Sequence, residues 1–145
     1  MLRAYKYRIY PTEEQKVLFA KTFGCCRFVY NWALNLKIEA YKLDKKSVAY
    51  KEVLDRMVNE LKKENQWLTE INSQALLNSI RYLDTAYKYF FRDMHAVAFP
   101  RFKSRKNRQS FQCPQHCSVD FGRAPFPYPR QKIFLPCCTA GSRVQ

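Results

Sequence analysis

The chain has 145 residues, 47% of them hydrophobic and 16% aromatic, with a formal net charge of +14 at pH 7. That length bounds the fold to one domain or a little more, and the apolar share is enough for a core. So large a positive balance favours a polyanion partner, RNA or DNA, over a small-molecule substrate or a membrane surface.

The charge is uneven. Met1–Thr12 carries three basic residues and no acidic one, and Ala98–Gln145 carries nine basic residues against Asp120 alone. Between them, basic and acidic residues nearly balance. The polyanion signal therefore lies at the two ends, around a middle that reads as an ordinary helical region. Met1–Tyr10 lacks the apolar stretch of a signal peptide. No run approaches the ~18 apolar residues of a membrane span. The reading is a cytoplasmic, nucleoid-associated protein with reduced cysteines.

In chain order, Leu2–Tyr10 alternates rings and aliphatics with Arg3, Lys6 and Arg8, which predicts a strand with one cationic face. Pro11 ends it. Thr12 and Gln15 fit a capping box, with Glu13 and Glu14 on the favourable end of the helix dipole. A first helix is expected to about Thr22, with Val17, Leu18 and Phe23 inward and Gly24 past its end. A second is expected over Cys26–Lys42. A third is expected after a Ser47 cap, with Tyr50, Val53, Leu54, Met57, Val58 and Leu61 in one stripe. Trp67 and Leu68 are expected to plug the bundle. A fourth helix starts at an Asn72 or Ser73 cap and runs to about Met94, burying Leu76, Ile80, Leu83, Tyr87, Phe90 and Phe91. Short strands are expected at Ser110–Cys113 and Ser118–Phe121.

The segment after Val97 is the strongest nucleic-acid signal read from composition. Arg101, Lys103, Arg105, Lys106 and Arg108 place five cations in eight residues, and each phosphate they neutralise would steepen the salt dependence of binding. Phe99 and Phe102 could stack on bases or anchor the segment, and a docked turn around Pro100 favours anchoring. Metal chemistry has weaker support. Cys113, His116, Cys117, Cys137 and Cys138 offer ligands, but their spacing does not match a zinc ribbon. Cys25 and Cys26 read as small buried side chains, and His95 as a helix-end cation. No set of catalytic residues, metal ligands or cofactor-binding residues emerges.

Several blocks in order carry a resemblance. They are YKYRIYPT from Tyr5, GCCRFVYN from Gly24, Trp67-Leu68, Gln74-Ala75-Leu76, LDTAYKYFFR from Leu83, and FPRFKS from Phe99. Together they resemble the N-terminal region of the OrfB/TnpB proteins of bacterial insertion sequences, from Met1 to about Gly122. The resemblance implies a transposase-type helix-turn-helix region or, as in better-understood members, a four-helix recognition lobe inserted into a small, incomplete β-barrel or sheet. It implies residues 1–11 as first barrel strand, 12–97 as the helical lobe, 98–123 as basic connector and returning strands, and 124–145 as an aberrant tail.

The implied partners are target DNA and a transposon-derived guide RNA, with base pairing reading the sequence and protein reading shape. Tyr50, Ser73, Gln74 and Leu77 match family positions near the short motif flanking the target. Arg27, Tyr30 and Asn31 recur in the family, and Arg27 is expected to lock the lobe internally. The family's nuclease domain needs three metal-binding carboxylates, and its zinc ribbon lies further on. Asp120 alone cannot hold paired ions, so no enzyme activity is expected. From Ile133 the tail departs from the family pattern. One codon choice for it reads IPAVLHRRFEGT in the neighbouring frame, which resembles the family better. A frameshift and a decayed gene product are therefore one expectation, and an autonomous helix-turn-helix module another.

Overall fold

The computed structural model describes residues 10–112, 118–120 and 132–134. α1 spans Glu13–Asp44 as one uninterrupted helix of 32 residues. Its start follows from the capping box. The Thr12 N–H donates to Gln15 Oε1 at 3.0 Å, and the Gln15 N–H donates to Thr12 Oγ1 at 3.4 Å. At its other end Lys45 adopts a left-handed conformation (φ 55°), and its N–H bonds the Tyr41 carbonyl at 3.1 Å.

The expected break at Gly24 does not exist, so the first two expected helices are one. A glycine inside a helix costs about 1 kcal/mol relative to alanine. Burial on both sides of it outweighs that. Thr22, Cys25, Cys26, Val29, Tyr30, Ala33 and Leu34 form a single buried stripe through the position.

α2 covers Tyr50–Arg56 and continues as a π-helical turn, Met57–Leu61, into α3, Lys62–Glu64. Its N-cap is Ala49 without a side-chain bond, so Ser47 does not cap it. The wide turn, closed by i→i+5 bonds, brings residues four apart nearly into line. Val53, Met57 and Leu61 are buried on this line, whereas Val58 turns outward, contrary to the expected stripe. A 3-10 turn, Gln66–Glu70, inserts Leu68 into the core and leaves Trp67 edge-on to Phe28 at 5.1 Å.

α4 spans Ser73–Arg92, and Asn72 caps it by accepting the Gln74 N–H at 2.8 Å. α4 packs on α1 and also on α2. Leu76, Ile80 and Leu83 are buried between them, but Phe91 is 64% exposed. Small side chains bring α1 and α4 together: Ala33, Ala75 and Ser79 are buried, and Cys26 Sγ donates to the Ala75 carbonyl at 3.6 Å.

The fold is helical, and the expected barrel is not what the described residues form. Among the described residues there are three helical arms rather than four, with no sheet or barrel enclosing them. The only β-pairing among the described residues is a short antiparallel ribbon of β1, Ser118–Asp120, and β2, Lys132–Phe134. The first expected strand lies outside the described residues apart from Tyr10, and residues 110–112 form no strand. The physical reason is visible in the connector. Its backbone groups bond to side chains of α1 and α4 instead of to a ladder.

Candidate nucleic-acid interface

The connector crosses the α1–α4 pair and is fixed at four places. Phe99 meets the rings of Tyr87 and Phe90 edge-on, each at 5.4 Å, and Pro100 is buried beside them. Asn31 then holds Lys103 at both backbone groups: the Lys103 N–H donates to Asn31 Oδ1 at 2.8 Å, and Asn31 Nδ2 donates to the Lys103 carbonyl at 3.0 Å. Arg27 Nη1 donates to Gln109 Oε1 at 3.3 Å. Finally Phe111 packs on Phe19 and Phe23, Asn78 Nδ2 donates to the Gln112 carbonyl at 3.1 Å, and the Tyr82 hydroxyl bonds the Gln112 side chain.

This arrangement sorts the five connector cations. Lys103 Nζ lies 4.1 Å from the centroid of the Tyr30 ring. Burial there lowers its pKa from the usual lysine range. Its charge is engaged with the protein through a cation–π contact. Arg101, Arg105, Lys106 and Arg108 are exposed, and among the described residues none has a carboxylate partner. Phe99 is an anchor, as the docked turn predicted, whereas Phe102 stays 52% exposed.

Arg27 sits between two concavities. One is an open depression on α1 lined by Gly24, Phe28, Asn31 and Trp32. The other is a narrow groove under the connector, lined among others by Lys103, Ser104, Asn107 and Arg108. Ser104 shapes its turn: its hydroxyl accepts the Lys106 N–H at 3.2 Å, and its carbonyl accepts the Asn107 N–H at 3.3 Å.

The other sequence-derived positions are placed elsewhere or not described. Arg3, Lys6 and Arg8 lie outside the described residues, as do Cys113, His116, Cys117, Cys137 and Cys138. Ser73, Gln74 and Leu77 form the first turn of α4. The Ser73 hydroxyl accepts from Lys62 Nζ at 3.1 Å, while Leu77 packs half-buried against the core. Tyr50 opens α2 and also packs on the core. No hydrogen bond among the described residues joins Tyr50 to those three. His95 lies beyond the end of α4, in an exposed turn. The clamp residues Asn31, Asn78 and Gln109 carry no local signal of their role. Their partners are 72, 34 and 82 positions away in sequence.

A helical pair with a cationic connector strapped across it presents a positively charged face suited to a polyanion. Residues 1–46 match the profile of a family described as the OrfB helix-turn-helix domain. The chain is 34% identical over 135 residues to a Streptomyces pristinaespiralis protein whose name describes an RNA-guided DNA endonuclease, covering 92% of this chain and 31% of that protein. It is 35% identical over 136 residues to one named RNA-guided DNA endonuclease InsQ in Escherichia coli, covering 93% of this chain and 32% of the relative. A third match, 33% identical over 116 residues, is the virulence protein VsdF of Salmonella dublin, of which 98% is covered.

The chain belongs to the OrfB/TnpB family of insertion-sequence proteins. It spans about a third of the length of the first two relatives and nearly all of the third. Within the matched span, the described residues from Glu13 to Asp44 are a single helix. No helix among the described residues is long and apolar enough to cross a membrane.

Proposed function

We propose that this chain is a nucleic-acid-binding module of a transposon-encoded, TnpB-like protein, engaging DNA and a transposon-derived guide RNA without cleaving either. The observation that carries this reading is the connector. Four exposed cations, without acidic partners among the described residues, stand on a segment that is fixed to the helical core at both ends. Fixed cations lose less freedom on binding than cations on a loose tail, so more of their Coulomb attraction survives as affinity.

The names of the two longer relatives support RNA-guided handling of DNA by those proteins at their whole length. By that analogy Arg3, Lys6 and Arg8 would meet a sugar-phosphate backbone, and Tyr50, Ser73, Gln74 and Leu77 would face the duplex. Gln74 is half-buried, and its amide can pair with an adenine edge if that helix end enters a groove.

Purification of the full chain from its host, with the co-purifying nucleic acid sequenced, tests this function. Transposon-derived RNA supports it. A specific DNA duplex alone points instead to an autonomous duplex-reading module. A folded protein that carries neither, and binds neither at low salt, overturns the reading.

A further inference from the structure

We propose that the groove between the connector and the α1–α4 pair is a seat for one phosphate group of a bound strand. Arg27 and Arg108 supply the charge, and the Asn107 amide and the Ser110 hydroxyl supply neutral donors. The inference rests on the nucleic-acid reading above and gives it a specific point of contact.

The lining carries the argument. Arg27, Lys103 and Arg108 all border the groove, and among the described residues no carboxylate does. A concavity with three cations and no acid holds a positive potential that its walls concentrate. Lys103 is committed to the Tyr30 ring, so its ammonium adds to the field while its clamped backbone sets the floor. Arg27 is half-buried and held by Gln109, which leaves its remaining guanidinium donors directed by one bond at 3.3 Å. Arg108 is exposed at the rim. Guanidinium groups take phosphate oxygens in a two-pronged fashion that ammonium groups cannot. Hydroxyl and amide donors then complete the set of contacts that an anionic tetrahedral group requires. The Ser104–Asn107 turn is closed by its own bonds, so the seat exists before any ligand arrives.

The test uses the full-length chain, a short single-stranded RNA and a DNA duplex of equal length, with affinity measured across a salt series. Arg108→Gln and Arg27→Gln should each weaken binding roughly tenfold. Their double variant should flatten the salt slope by about one phosphate's worth. Arg108→Lys should keep the slope while losing affinity. Arg56→Gln, remote from the groove, is the control for a general loss of charge. Circular dichroism checks folding, and Arg108→Gln, on an exposed rim, keeps the test open if Arg27→Gln unfolds.

Titration with inorganic phosphate, followed on the arginine Nε–H resonances, separates the sources of the anion. A saturable shift at Arg27 and Arg108 that RNA or DNA displaces supports the strand-phosphate seat. A phosphate shift that neither nucleic acid displaces assigns the groove to the free ion and overturns the proposal. Binding with a normal salt slope in the Arg27→Gln/Arg108→Gln double variant overturns the seat alone. Loss of all binding by the unaltered chain overturns the functional reading as well.

Discussion

Asn31 on α1 holds both backbone groups of Lys103, 72 residues later, with hydrogen bonds of 2.8 and 3.0 Å. One side-chain amide thereby replaces the two bonds that a neighbouring strand would offer. The pair determines where the connector lies on the helices and which of its cations face outward.

Asn31→Ala should release the middle of the connector. Two partly exposed neutral bonds are lost, which costs about 1 kcal/mol. Denaturant unfolding should register that shift. Hydrogen exchange should show the Lys103 amide losing protection well before the α1 core does. Equal protection of Lys103 in both proteins would contradict the clamp.

Gly24→Ala should stabilise the protein by about 0.5–1 kcal/mol. The position is inside a continuous helix, and a Cβ there meets nothing within 4 Å. A glycine needed for a left-handed helix end would give the opposite sign. Thermal unfolding of the variant therefore decides directly between a rod and a broken pair.

Leu76→Ala and Leu34→Ala should each cost about 2–5 kcal/mol, since both side chains are fully buried where α1 and α4 meet. Val17→Ala, at 58% exposed, should change stability by less than about 0.5 kcal/mol. A large effect at Val17 would mean that an apolar partner covers it in solution.

Burial, with Cys26 adding to it, pushes the Cys25 thiol up from 9.0 to about 11. The folded state thus holds this proton more tightly than the unfolded chain. The resulting stability is present below pH 9 and is lost as pH rises towards about 11. Peptide-resolved alkylation at pH 8 should be slow at Cys25 and become fast only in denaturant. Rapid labelling under native conditions would contradict the burial.

Local sequence signals gave the helix starts best. Thr12 with Gln15, and Asn72 ahead of Ser73, act as caps because capping is a matter of three or four adjacent residues. Leu76, Ile80 and Leu83 were legible from their spacing for the same reason. Gly24 misled because its small helical penalty is visible locally, whereas the long-range burial that overrides it is not. Val58 misled because the π-helical turn changes the period that the stripe assumed. In the candidate site, the cations of residues 101–108 were visible as composition. Their division into a Lys103 held over the Tyr30 ring and neighbours without such a contact depends on Tyr30 and Asn31, which only the folded chain brings beside them.

At 1.5 Å per residue, α1 measures about 48 Å from end to end. With no joint at Gly24, this beam cannot fold at its centre to let a bulky double helix slip between two halves. Whatever the family's helix-turn-helix designation suggests, a duplex approaching this part of the molecule would meet one unbroken helix, and accommodation would have to come from the nucleic acid or from the arms hung on either end.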